Sequence, residues 1–437
     1  MKNKRLFILF LALWSVELLG SPLPKPVTDF LRLEQEHLNT SRDLTRIIRP
    51  INTQDINYRP ESAQIFTVKT YWIDSDLLYT FQDAESLPIS STELVRTVKG
   101  HKQVLFMVHP ESETFYAELL RNADIGPEYE GTPTASARTL LVWKKDNPEL
   151  FFFAKLSLNK EIGGVIRTIS ESEVPRSVGT SMALNGGRKT LSKNFAYLRE
   201  FWGVMPRGFN RGGMILREVP KELITGKLKL TPVFALYTST QDTSAPMLAM
   251  IKRSGLDSMQ FILEKFLRPF AVHFLNMTIK QGISMEPHGQ NLLVELNDNG
   301  DLTNTFYHRD FGGFNIDFEY RSDLGLDFLS NLPVINSMTK DYLILQHEQS
   351  LNNSLFTYFV GNILYAMADS LKTEDGKKIF EYSHLQKVFL QELNQEAINE
   401  YGFEIQKLSD IARPIKQARR RFIGSTRNRC NRLLEAN

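Results

Sequence analysis

The sequence predicts an α+β fold in several lobes, with a mixed, largely antiparallel sheet core and a mostly helical C-terminal part. Three observations carry this expectation. Short β-rich runs bounded by turn clusters recur between residues 64 and 308. Two pairs of these runs are joined so closely that they read as hairpins. From residue 325 onward the apolar positions fall at helical spacing instead. With 437 residues, 42% hydrophobic and 23% charged, the chain can bury a substantial core in about two or three lobes.

The elements follow in order. Lys2, Lys4 and Arg5 precede an apolar stretch at residues 6–19, and Gly20 and Ser21 are small. Residues 1–21 are therefore expected to be a signal peptide or a membrane tether, with membrane contact through residues 6–19. The alternative is a cytoplasmic chain whose N-terminal helix is buried. Pro22, Pro24 and Pro26 are expected to stop any helix continuing from the leader, and a polar helical segment is expected near residues 31–48. "QIFTVKTYWID" (64–74) and "KQVLFMVH" (102–109) read as strands, and "ESETFYAELLRNA" (111–123) as a helix. "GPEYEGTPTASA" (126–137) reads as a loop or boundary. Then "RTLLVWKK" and "LFFFAKLSL" read as a hairpin whose turn holds Asp146, Asn147 and Pro148. A helix is expected at 162–172, strands at "GGMILREV" (212–219) and "TPVFALYTST" (231–240), and a long amphipathic helix from 258 that ends on Gly282 and is kinked at Pro269. "NLLVEL" and "TNTFYH" read as a second hairpin with Asn299-Gly300 in its turn. "LFTYFVGNILYAMADSL" (355–371) is interrupted by Gly361 and Asn362 and reads as a packed helix rather than a membrane span. The lobes expected are 22–137, 138–260 and 261–437.

Composition narrows the function. A net charge of +2 gives no general attraction to nucleic acid. The basic tail at 413–432 reads as a solvated helix end, with a phosphate contact as the alternative. The lone Cys430 allows neither an intrachain disulfide nor a thiolate metal cluster.

The concentrated chemistry lies at residues 282–315, "GISMEPHGQNLLVELNDNGDLTNTFYHRDFGGFN". A hairpin brings its ends together, so Asn291 at the start and Asp310 at the end are expected to be neighbours. An amide oxygen beside a carboxylate suits Mg²⁺, which keeps several waters and also takes nucleotide phosphate oxygens. Glu286 adds a second carboxylate, and Gly312-Gly313 lets the backbone turn after Asp310. Asp310-Phe311-Gly312 also repeats a metal-holding tripeptide of protein kinases. A phosphate site needs fixed cations. Lys155, inside the apolar run "FFFAKLSL", must be paired, ligand-bound or snorkelling from an edge strand. Arg167-Thr168 and Arg217-Glu218 each follow an apolar run, where an arginine is most often a structural ion-pair partner.

"GISMEPHGQNLLVEL" followed by "HRDFGG" resembles the motif region of the IucA/IucC-type, NRPS-independent siderophore synthetases. "FFFAKLSLNKEIGGVIRTIS", "GMILREVP" and "FLRPFAVHFL" extend the resemblance in order over about residues 138–320. The chain keeps His109-Pro110 of the family's His-Pro segment without the second His and the Lys. "GGVI" stands where the family carries Ser or Thr before its Arg-Thr pair. The resemblance implies a siderophore-synthetase-like fold and ATP-dependent joining of citrate or a related polycarboxylate to an amine or alcohol through an acyl-adenylate. It implies catalytic roles for His288, Arg167 and Arg217, nucleotide contacts for Lys155, Thr168, Gln290 and Asn291, and Mg²⁺ held by Glu286, Asn291 and Asp310, with Arg309 as a nearby support. The partners expected are small-molecule carboxylate and amine or alcohol substrates, with a second copy of the chain in a homodimer and no nucleic acid. A second reading is an exported, catalytically altered relative that binds a carboxylate or ferric chelate. A third is a kinase-like phosphotransferase, against which stands the lack of a glycine-rich loop before Lys155.

Overall fold

The computed structural model describes residues 22–37, 39, 52–83, 87–188, 191–316, 321, 325–326 and 353–401. The leader, the basic tail and Cys430 lie outside them. The architecture is α+β, in two compact units. The first takes the described residues up to Ser181 together with Leu198–Ala235. The second takes Met182–Tyr197 and the described residues from Leu236 onward.

The first unit opens with helix α1 (Lys25–Glu36), which starts on Pro24 and carries Pro26 in its first turn. The prolines sit at the start of this helix, where the first-turn N–H groups have no intrahelical partner to lose; the leader they are expected to separate from it lies outside the described residues. The helix ends at Glu36, and most of the expected stretch beyond it lies outside the described residues. The inner face of α1 is tied to the sheet through polar groups. The Glu34 carboxylate accepts from the Ala135 amide at 3.1 Å, and Gln35 donates to the Pro133 carbonyl at 2.7 Å.

The sheet consists of β1 (Phe66–Asp74), β2 (Leu78–Gln82), β3 (Val95–Val98), β4 (His101–Val108), β5 (Asp124–Ile125), β6 (Tyr129–Pro133), β7 (Thr139–Lys144), β8 (Asn147–Leu156), β12 (Glu200–Pro206) and β13 (Met214–Arg217). Its order is β2-β12-β13-β8-β7-β6-β1-β4-β3, with β5 on β1. Every pairing in it is antiparallel. β1 buries Val68, Thr70 and Trp72 in alternation, the signature of a strand with one wet face. β7 is buried on both faces along "TLLVW", so it lies deep in the layer.

Several expectations need correction here. The stretch 126–137 is not a boundary: β6 runs through it, because pairing with β1 and β7 satisfies its backbone better than an open loop between two strands would. The lobes expected at 22–137 and 138–260 therefore share one sheet. The β7–β8 turn is Lys145-Asp146, with Asn147 already paired to Lys144. The helix expected at 162–172 is a small hairpin, β9 (Glu161–Ile162) and β10 (Val165–Ile166). Gly163 and Gly164 in its turn have φ of 65° and 78°, values a right-handed helix does not admit. The helix comes later, as α2 (Glu173–Gly186). The run 231–240 is split between β14 (Lys229–Pro232) and a short helix at Val233–Tyr237, since an apolar run buried all round has no period to distinguish the two. The segment 111–123 holds only short helical turns, at Pro110–Ser112, Thr114–Tyr116 and Ala117–Leu120.

In the second unit β11 (Phe195–Tyr197) runs parallel to β17 (Leu302–His308), which pairs antiparallel with β16 (Leu292–Leu296). The β16–β17 turn has Gly300 at φ 76°, and the Asn297 side chain accepts from the Asn299 and Asp301 amides at 2.9 Å each. A two-residue pair, β15 (Ile283–Ser284) with β18 (Asn315–Ile316), closes the segment. The long helical run begins at Ser258–Ile262 and widens into a π turn at Leu263–Leu267. It continues as α3 (Arg268–Leu275) and widens again at Asn276–Lys280. Pro269 follows the first widening: it has no N–H for the carbonyl a turn back, so the ladder shifts there. Gly282, at φ 61°, ends the run. A π segment at Asn353–Leu364, a short helix at Tyr365–Ser370 and α4 (Tyr382–Tyr401) complete the unit. Phe359 stacks on Phe270 of α3 at 3.6 Å and meets Phe389 of α4 at 4.8 Å. Among the described residues no helix is long and apolar enough to cross a membrane.

Candidate functional site

The first unit contains a buried polar layer between α2 and the sheet. Lys155 on β8 is in register with Thr139 on β7 and Ile215 on β13, so its strand is interior and snorkelling from an edge is excluded. The residue is 2% exposed. Its Nζ lies 2.6 Å from the Glu173 carboxylate, and Arg138 Nη2 reaches the same oxygen at 3.1 Å. Arg138 also donates from Nη1 to the carbonyls of Arg167 and Thr168, at 3.4 and 3.3 Å. Ser157, two residues past Lys155, accepts from the Ile169 and Gly213 amides at 2.9 Å each. These bonds lash the Arg167-Thr168 segment to the end of β8. The Thr168 hydroxyl is buried and has no partner in the structure.

Arg217 on β13 pairs with Glu200 on β12, with Nη2 to Oε1 at 2.6 Å and Nε to Oε1 at 3.2 Å. Glu200 is fully buried, and its amide donates to Ser181 on α2. Arg217 thus has the ion-pair partner that its sequence context favoured. α2 sits close because Gly203 lets it: a Cβ there would lie 2.6 Å from Val174 and 3.1 Å from Val178. His109 follows β4 directly and caps the next turn, accepting from the Glu111 amide on Nδ1 at 3.2 Å. Its Nε2 is buried without a partner, and burial, with a smaller effect from Lys160, lowers its pKa to about 3.

In the second unit the hairpin does what its sequence predicts. Leu292 is opposite His308, and the Arg309 amide donates to the Asn291 carbonyl at 3.2 Å. Asn291 and the Arg309-Asp310 pair therefore stand side by side at the hairpin's open end. Arg309 is buried and grips the loop before β16, donating to the Gln290 carbonyl from Nη2 at 2.7 Å and from Nε at 3.0 Å. Asp310 has φ 68° and ψ 67°, a left-handed conformation that side chains other than glycine rarely take. The Glu286 carboxylate lies against Gly313, where a Cβ would come within 1.9 Å of Oε2, so a side chain there would have to push the carboxylate aside. Burial and the adjacent Glu286 carboxylate push the Tyr358 phenol well up. His288 accepts from the Gln290 amide on Nδ1 at 3.2 Å, and its own carbonyl takes the Asn291 and Leu292 amides.

The loop is also held from below by the π segment. Ser354 donates to the Met285 carbonyl, and Asn362 accepts from the Gly289 amide at 3.2 Å. Behind β17, His308 and His273 of α3 share a hydrogen bond between their Nε2 atoms at 2.7 Å. Both rings are fully buried and stack on Phe195. Burial lowers the His273 pKa to about 3, and burial, with the neighbouring His273, lowers that of His308 well below its ordinary value.

Each expected site residue is thus placed within its own unit: Lys155, Arg167, Thr168 and Arg217 in the first, Glu286, His288, Gln290, Asn291 and Asp310 in the second. Sequence reading missed Arg138, Glu173 and Glu200, because ion-pair partners far along the chain leave no local signal. Asn362 did leave one, as a polar interruption in an apolar helix. Among the described residues no group of three or more His, Cys, Asp and Glu side chains is placed to hold a metal. Glu286, Asn291 and Asp310, two carboxylates and an amide, are the hard-oxygen kind of set that Mg²⁺ supplements with water and phosphate. The buried cations and the unpartnered Thr168 hydroxyl suit phosphate oxygens.

Residues 50–238 match the model of the IucA / IucC family, the family that the motifs resemble. Residues 263–378 match that of the ferric iron reductase FhuF-like transporter. A search of curated proteins finds no match. Among solved structures the chain is similar to the petrobactin biosynthesis protein AsbB from Bacillus anthracis str. Sterne, with TM-score 0.58 and 17% identity over 79% of this chain and 63% of that one. The chain thus spans less than two thirds of AsbB. It is also similar to ATP-bound aerobactin synthetase IucA from a hypervirulent pathotype of Klebsiella pneumoniae, with TM-score 0.58 and 16% identity over 85% of this chain and 72% of that one. Aerobactin synthetase IucC from the same pathotype gives 0.55 and 14%, over 86% and 73%. At these identities the likeness shows the fold, which is that of the siderophore synthetases.

Proposed function

We propose that this chain, with the siderophore-synthetase fold and an IucA/IucC segment over residues 50–238, is an ATP- and Mg²⁺-dependent ligase of siderophore biosynthesis. It would join a polycarboxylate such as citrate to an amine or alcohol. The observation that carries the reading is the open end of the β16–β17 hairpin: Asn291 stands beside the Arg309-Asp310 pair, and Glu286 is held against the turn that follows it.

When bound, ATP would supply the adenylyl group that makes the substrate carboxylate reactive, with Mg²⁺ offsetting phosphate charge. The chain's own part is positioning and charge neutralisation. Glu286, Asn291 and Asp310 would hold the metal, and Gln290 and Asn291 would contact the nucleotide. His288, fixed by the Gln290 amide on Nδ1, would present its other ring nitrogen to phosphate or to the reacting carboxylate. Lys155 would offer its ammonium, and Thr168 its hydroxyl, to phosphate oxygens. Arg167 would act as a phosphate or carboxylate contact. Arg217, held flat by Glu200, would direct its remaining N–H donors at the substrate carboxylate.

The test is calorimetry with Mg²⁺-ATP, followed by pyrophosphate release with citrate and a polyamine present. Asp310→Ala should weaken Mg²⁺-dependent ATP binding by about tenfold or more; unchanged binding in that variant would defeat the assignment. A second reading, a catalytically altered relative that binds a carboxylate or ferric chelate, is favoured by the FhuF-like match and by the carboxylate already seated on Lys155. Ferric citrate binding without pyrophosphate release would select it. Export or tethering through residues 1–21 is part of the proposal, and sequencing the N-terminus of the native protein in its compartment tests it.

A further inference from the structure

We infer that Glu173 is a built-in competitor for phosphate at Lys155 and Arg138, and so sets how tightly this chain takes polyphosphate ligands. The inference rests on the reading above, that Lys155 serves phosphate. Three observations in the first unit carry it. The Glu173 carboxylate receives both cations on a single oxygen, at 2.6 and 3.1 Å. Lys155 is buried on an interior strand, so its ammonium can meet a ligand only at the place Glu173 holds. The Thr168 hydroxyl, beside the carbonyls that hold Arg138, is buried and has no partner in the structure.

A carboxylate and a phosphate oxygen want the same N–H donors. An arriving phosphate must move the Glu173 side chain aside or share the cations with it, which sets like charges together. The helix itself cannot yield easily. Glu173 begins α2, its amide donates to the Ser170 carbonyl at 3.0 Å, and the following turns are docked over Gly203. Displacement is therefore a side-chain rotation. Once Glu173 leaves, two cations and a hydroxyl donor remain for the incoming oxygens, and the polar demand of Thr168 is met.

The experiment titrates the full chain with inorganic pyrophosphate, and separately with Mg²⁺-ATP, by calorimetry. Glu173→Gln keeps the shape and removes the charge. The expected result is about tenfold tighter pyrophosphate binding than in the parent, with the gain lost in the Glu173→Gln, Lys155→Met double variant. Equal or weaker binding by Glu173→Gln, with the parent still binding, overturns the inference and leaves the proposed function standing. Binding by neither protein removes Lys155 as a phosphate cation and the inference with it. Should Glu173→Gln fail to fold, as a melting curve would reveal, Glu173→Asp is read instead. Its carboxylate stops one methylene short of the cations. A gain of about threefold supports the inference and no gain overturns it.

Discussion

An imidazole buried without a counter-charge is a weak base, and His109, His273 and His308 are all in that state. The linkage has a definite sign. His109 titrates near 6.5 in the unfolded chain and near 3 in the folded one, so the unfolded state takes up the proton first as pH falls. Its stabilising effect is complete above about pH 6.5 and is lost progressively toward pH 3. At pH 5 the loss from His109 alone is roughly 2 kcal/mol relative to pH 8. Urea midpoints measured between pH 8 and pH 5 should fall, and His109→Gln should flatten part of that fall; an equally steep profile in the variant would refute the account. At this scale the sequence was most informative where chemistry is dense. The neighbours Asn291 and Asp310 were legible from a hairpin, and His109 as a strand-end residue from its place after "KQVLFMV". The partners of Lys155 and Arg217 were not legible. Glu173 lies 18 positions beyond Lys155 by the numbering, and only the approach of α2 to the sheet brings it there.

Elements were predicted well where pattern and pairing agree. β1, β4, β7, β8, β13 and the β16–β17 hairpin all follow period-two or turn-bounded runs. They were misread where local propensity and tertiary pairing disagree. β6 looks like a loop because Gly131, Thr132 and Pro133 are turn residues, yet it is paired on both sides. The stretch 162–166 looks helical until its two glycines turn left-handed. Two element-level predictions follow from packing. Gly203→Ala puts a methyl into Val174 and Val178 and should destabilise the first unit by about 1–3 kcal/mol, seen as a lower urea midpoint; a neutral result would mean that α2 is not docked as described. Asn362→Ala leaves the buried Gly289 amide without its side-chain acceptor. It should cost about 1–3 kcal/mol and weaken Mg²⁺-ATP binding, because the loop that carries Glu286, His288 and Gln290 loses a support. Unchanged binding with lowered stability would confine Asn362 to a structural role.

At the scale of the whole molecule the chain divides into two compact units, each able to unfold on its own. Of the four tryptophans, Trp72, Trp143 and Trp202 lie in the first unit and Trp14 in the leader. Tryptophan emission therefore reports on the first unit, whereas α3 and α4 lend their ellipticity to the second. The expected outcome is that urea curves followed by emission and by far-ultraviolet circular dichroism do not coincide; superimposed curves would show a single cooperative molecule. By itself the sequence determined the α+β class, the hairpins, and the juxtaposition of Asn291 with Asp310, because periodicity and turn chemistry are local properties. Only the tertiary structure decided that β6 and β7 join the expected first two lobes into one sheet, that 182–197 joins the C-terminal unit, and that a carboxylate already occupies Lys155. Strand order and ion pairing depend on which distant segments bury one another, and that choice is made by the packed core rather than by any window of residues.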